Sequence, residues 1–208
     1  MNKLTMRDLL IGLFALVGVA FVFSYFSSPA PIRNYPSSGS DIIAYGDSLV
    51  WGQGADQRKD FVSLLSQKIG QPIINLGIPG QTTEEGLSRL AGLNIYHPKV
   101  VILLLGGNDY IKQVPIDDTF SNLAKIIEDL QHRGAIVLLL GVRGGVLDDH
   151  FASRFDELHK QYSTAYVSDV LAGLLGNEKL MSDEIHPNDA GYQIIAARVY
   201  PVLAPLVK

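Results

Sequence analysis

The chain contains no cysteine. That excludes disulfides, a thiolate nucleophile, lipoprotein-type acylation and cysteine-based zinc sites. It has no cluster of basic residues, and its formal charge is −4. A nucleic-acid partner calls for the opposite balance. No Gly-x-Gly-x-x-Gly and no phosphate-binding P-loop follows the first candidate strand, so nucleotide binding is not indicated. A Gly-x-Ser-x-Gly elbow is also missing, which argues against the α/β-hydrolase arrangement. No His/Asp/Glu cluster has the spacing of a metal site. Charged residues make up only 18% of the chain against 47% hydrophobic. That balance suits a globular domain with an apolar segment attached.

The apolar segment is Leu9–Phe26, an uncharged run of 18 residues. At about 1.5 Å per residue it would span about 27 Å as a helix, close to a bilayer core. Lys3 and Arg7 precede it, and no basic residue follows until Arg33. Positive charge on that side predicts a transmembrane anchor over 9–26, with residues 1–8 in the cytoplasm. The following domain is then expected on the extracytoplasmic side of a bacterial inner membrane. The alternative is a cleaved signal peptide, with Ser28–Pro29–Ala30 as its best small-x-small site, releasing the domain into the periplasm. Residues 27–40 are rich in serine and proline and are expected to form an extended linker.

From Asp41 to the end the pattern alternates short apolar runs with helical periodicity. Asp41–Tyr45, Pro72–Leu76, Val100–Leu105, Ala135–Leu140 and Ala165–Val167 are predicted strands. Helices are predicted over Phe61–Ile69, Thr82–Leu90, Thr119–Gln131, Ala152–Tyr162 and Asn188–Leu203, the last bent or broken at Pro201. Thr82–Thr83–Glu84–Glu85 has the form of a capping box. Strands that are apolar throughout, without polar alternation, belong to a sheet covered on both faces. The expected fold is therefore α/β: a doubly wound, three-layer sandwich on a mainly parallel five-stranded sheet, spanning 41–208 as one domain. Ligands in such sheets bind at the carboxyl ends of the strands.

Four polar clusters fall on those strand-to-helix connections: Gly46–Asp47–Ser48–Leu49, the loop Gly77–Gln81, Gly106–Gly107–Asn108–Asp109, and Asp183–Glu184–Ile185–His186–Pro187. A serine hydroxyl is a weak nucleophile and needs a base within hydrogen-bond reach. His186 can be that base, and Asp183 can fix its tautomer. Pro187 stiffens the chain beyond the histidine. The backbone N–H groups of Ser48 and Gly80 and the side-chain amide of Asn108 are available to an oxyanion. His97, His132, His150 and His159 have no acid partner on such a turn and read as surface or packing residues. Trp51, just past Ser48, reads equally as pocket wall or core.

The set of four clusters, with Asn75–Leu76–Gly77–Ile78–Pro79–Gly80–Gln81–Thr82 as the second, resembles the SGNH (GDSL) hydrolases. The likeness runs from about Asp41 to Leu203. It is nearest the bacterial thioesterase I/lysophospholipase L1 and arylesterase branch. The resemblance implies Ser48 as nucleophile, Asp183 and His186 as the rest of a triad, and Ser48, Gly80 and Asn108 as the oxyanion hole, with Gly77 as the alternative to Gly80. It implies no cofactor and no metal. The substrate is expected to be a small-molecule or lipid acyl ester, and no obligatory protein partner is evident. An O-acetyl esterase acting on envelope polysaccharide is a second reading, and a tethered non-catalytic binding module is a third. Tyr110–Ile111–Lys112 and Gly141–Val142–Arg143–Gly144–Gly145 differ from that branch and bear on which ester is taken.

Overall fold

A computed structural model describes residues 31–143 and 150–208. The apolar run at 9–26 lies outside the described residues. Among those described, no helix is long and apolar enough to cross a membrane.

Five strands form one sheet: β1 (Asp41–Gly46), β2 (Ile74–Gly77), β3 (Pro98–Leu104), β4 (Ile136–Leu140) and β5 (Ala165–Val167). Their order is β2-β1-β3-β4-β5, and every pairing is parallel. The chain steps outward from β1 to β2, then returns across β1 to β3. That reversal puts a crevice beyond the carboxyl ends of β1 and β3, where doubly wound sheets hold their ligands.

The central strands are buried along almost their whole length, including Ile42–Tyr45, Val100–Leu105 and Ile136–Leu140. Helices cover both faces. Helix α1 is one turn (Ser48–Trp51); α2 spans Phe61–Ile69, α3 Thr83–Ser88, α4 Gly107–Ile111, α5 Ile116–His132, α6 His150–Tyr162 and α7 Asp189–Leu206. Helices α2 and α7 pack together on one face, with Phe61 stacked on Tyr192. Helices α3, α5 and α6 pack on the other, where Phe120 meets Phe151 and Phe155 edge to face. Asp60 caps α2 through Ser63 N, and Gly70 ends it with a left-handed φ of 67°.

Two differences from the sequence reading have clear causes. Helix α7 is continuous through Pro201 and Pro205. The two prolines lie one turn apart on the exposed side, so water can serve the carbonyls they leave unpaired, while Val199, Leu203 and Leu206 hold the helix to the core. The compact unit also begins at Ile32, ahead of Asp41. Ile32 packs on the core, Arg33 N donates to Ser163 O, and the Asn34 amide donates to Gln131 O in the last turn of α5 and to Ala135 O just before β4. This arm crosses the amino edge of the sheet, opposite the crevice.

Candidate active site

Ser48 opens α1 immediately after β1. Asp47 is the N-cap and accepts from Leu49 N at 3.0 Å. The first backbone N–H groups of a helix have no intrahelical partner, so the turn presents donors where Ser48 stands. The turn is packed tightly from β2: a Cβ on Gly77 would come within 2.2 Å of Trp51 N.

The Asp183–His186 turn meets this serine from the other side of the chain. It is closed by Ser182 N–H donating to His186 O (2.8 Å), by a bridge between Met181 and Pro187, and by Asn188, which caps α7. Asp183 Oδ1 accepts from Ile185 N (2.9 Å) and His186 N (2.7 Å). Its Oδ2 lies 2.7 Å from His186 Nδ1. His186 Nε2 lies 3.0 Å from Ser48 Oγ, across 138 positions of sequence. The arrangement that satisfies both contacts has Nδ1–H donating to Asp183 and Nε2 accepting from the serine hydroxyl. Burial works against ionisation of Asp183, but hydrogen bonds from the His186 ring, Ile185 N and His186 N outweigh it and hold its pKa below the usual carboxylate value. Ser48 and His186 are buried, whereas the Asp183 side chain is half-exposed.

Asn108 comes from α4, directly after β3. Its Nδ2 lies 3.1 Å from Gln81 O and 3.4 Å from Asp47 Oδ2, and the residue lines the same cavity as Ser48 and His186. Gly80 sits in the loop after β2 with φ 75°, a conformation that favours glycine. Its carbonyl accepts from Lys112 Nζ at 2.9 Å, and it does not line the cavity. The Gly77 N–H is already committed to Asn75 Oδ1 at 2.9 Å, which makes Gly77 the poorer donor to a substrate. Asp109, next to Asn108, is fully buried. It accepts from Thr83 N (2.9 Å) and Thr83 Oγ1 (2.6 Å), tying α4 to the start of α3. The expected capping box is present, between Thr82 and Glu85.

The cavity holds about 220 Å³ and is mostly apolar, walled by Leu49, Tyr110, Ile111, Val142, Leu171 and Ile185. The 110–112 and 141–145 segments singled out in the sequence contribute to this wall through Tyr110, Ile111, Val142 and Arg143, while Gly144 and Gly145 lie outside the described residues. An open groove of about 920 Å³ adjoins it across Tyr110, Ile111 and Phe151 and carries Gln113, Arg154 and Glu157. Trp51 is 61% exposed and lines neither. His97 and His132 are exposed, and His159 stacks on Tyr166.

Burial raises the Asp47 carboxyl from the usual 3.8 to about 7, against its hydrogen bonds from backbone N–H groups and with a smaller push from Asp109. A folded pKa above the unfolded one means the native state keeps a proton that the unfolded chain gives up. Stability is then lost as pH rises from about 4 to about 7. A rise of that size corresponds to at most about 4 kcal/mol. Asp47→Asn keeps the acceptor for Leu49 N and removes the titration. We predict that its stability relative to wild type increases between pH 5 and pH 8 in urea melts. A difference independent of pH would contradict the assignment.

Sequence reasoning missed Arg89, which reaches the ends of both β1 and β2. It acts mainly on backbone carbonyls, and no residue pattern marks such a role.

Comparison with known proteins agrees with this geometry. The GDSL-like lipase/acylhydrolase family matches residues 44–194. Esterase TesA of Pseudomonas aeruginosa is 30% identical over 183 residues, covering 82% of this chain and 91% of its own. Thioesterase 1/protease 1/lysophospholipase L1 of Escherichia coli K12 is 27% identical over 180 residues, covering 82% and 86%. A crystal structure of TesA superposes with a TM-score of 0.74 at 30% identity, covering 80% of this chain and 99% of that one. The fold, the clustered polar residues and these matches agree: the chain belongs to the GDSL-like lipase/acylhydrolase family and is an ester-hydrolysing enzyme of that type.

Proposed function

We propose that this enzyme is a serine esterase that cleaves carboxylic esters, and thioesters of similar shape, through an acyl-enzyme on Ser48. The observation that carries this reading is the chain of contacts Asp183–His186–Ser48 opening onto an apolar cavity. Ser48 Oγ attacks the ester carbonyl as His186 Nε2 takes its proton, and Asp183 holds the imidazolium. The N–H groups of Ser48 and Gly80 and the Asn108 amide receive the oxyanion. Collapse of the tetrahedral species expels the alcohol, which leaves with the proton held on His186. Water, activated by the same histidine, then releases the acid and restores Ser48.

The apolar wall favours an acyl chain in the cavity, and the more polar adjoining groove suits the alcohol side. An acetyl group alone would leave most of about 220 Å³ unfilled. The lysophospholipase activity in the name of the Escherichia coli relative supports acyl chains longer than acetyl. The test is a p-nitrophenyl ester series from C2 to C12. The expected profile rises in kcat/KM from C2 to a maximum beyond C4. A maximum at C2 with steady decline would overturn the acyl-chain reading in favour of an O-acetyl esterase.

A further inference from the structure

Arg89 follows α3 and is half-buried. No carboxylate among the described residues pairs with it. Its guanidinium instead bonds neutral acceptors. Nε donates to Gln81 Oε1 at 2.7 Å, and Nη2 donates to Leu76 O at 2.9 Å and Gly46 O at 3.2 Å. Its Cζ lies 3.7 Å over the centre of the Tyr45 ring. Sinking a cation this way costs desolvation, and an apolar side chain would serve packing alone at lower cost. The acceptors explain the choice.

Gly46 O is the last acceptor of β1, one residue before Asp47 and two before Ser48, and it also accepts from Ile78 N at 3.0 Å. Leu76 is near the end of β2. Gln81 directly follows Gly80, and its own carbonyl takes the Asn108 amide at 3.1 Å. One planar fork therefore spans the two segments that carry the backbone donors and, through Gln81, touches the third donor. Lysine offers a single point of attachment and cannot reproduce a fork across three acceptors.

We infer that Arg89 is a positioning residue for the oxyanion hole, fixing the Gly77–Gln81 loop against the Ser48 turn so that the Gly80 and Asn108 donors stand ready for the developing charge. This rests on the oxyanion reading proposed above. Preorganised donors act mainly on kcat, because they matter most in the transition state.

The test is a double-mutant cycle in the full-length protein, with p-nitrophenyl butyrate as substrate and a thermal melt of each variant. Arg89→Met is expected to lower kcat by about 10- to 100-fold with KM within about threefold, and Arg89→Lys to recover only part of the loss. In an Asn108→Ala background, itself expected to be about 10²–10³-fold slower, Arg89→Met should cost at least twofold less than in wild type, because the two residues act as a unit. A loss below about fivefold from Arg89→Met, or an equal loss in both backgrounds, overturns the role and leaves the oxyanion reading standing. An unchanged kcat in Asn108→Ala removes the oxyanion reading and the Arg89 role with it. If Arg89→Met fails to fold, Arg89→Lys is read in the same cycle, with a threshold of twofold for its single loss.

Discussion

Ser48→Ala is expected to lower kcat for p-nitrophenyl butyrate by about 10⁶-fold, the scale seen when a triad nucleophile is removed. The loss should come without a matching loss of stability. The Ser48 side chain bonds His186 Nε2, and its Oγ does not cap α1, which is capped by Asp47. Alanine also suits the helical turn. A melting temperature within about 2 °C of wild type is expected alongside the lost rate. Should the variant keep more than a hundredth of the wild-type rate, another group is the nucleophile.

Asp183→Asn should be the next largest loss, with kcat lower by up to about 10⁴-fold and KM little changed, by analogy with the same change in another triad. The geometry here supplies the reason. Ile185 N and His186 N both donate to Oδ1, so an asparagine at 183 must keep its carbonyl oxygen at that position. Its NH₂ is then forced to face His186 Nδ1, where the carboxylate oxygen now accepts at 2.7 Å. The imidazole must turn Nδ1 into an acceptor, which places its proton on Nε2, the atom that should take the proton of Ser48. Asp183→Ala imposes no such inversion. It should therefore be no worse than Asp183→Asn, although it removes the caps on the turn as well. Steady-state kinetics of the two variants test this order. If Asp183→Asn retains the wild-type kcat, Asp183 has no part in setting the tautomer.

How far the site could be read from the sequence varied with the physics of each part. Strands β3 and β4 announce themselves because a parallel sheet buried on both faces admits only apolar side chains. Helix α2 is bounded by Asp60 and Gly70, and α3 by its capping box, and local chemistry of that kind survives folding. Helix α4 was not legible: Gly106–Gly107–Asn108–Asp109 reads as a turn, and it becomes a helix because buried Asp109 is held by Thr83 from α3, a contact across 26 positions. The 3₁₀ helix at Leu90–Ile95 has no local signal for a similar reason, since Leu90 and Leu93 fold inward on long-range packing. The approach of Ser48 to His186 followed from topology, since both lie on connections at one sheet edge. The unusual pKa of Asp47 did not follow, because burial to that degree is a property of the assembled turn.

The proposed mechanism requires Ser48 to carry the acyl group. The most direct measurement is labelling of the full-length protein with a fluorophosphonate, followed by peptide mass mapping. One adduct is expected, on the peptide containing Ser48, formed in step with loss of esterase activity and absent from Ser48→Ala. Complete inhibition with the adduct on any other residue, or esterase activity that persists with Ser48 fully labelled, would contradict it.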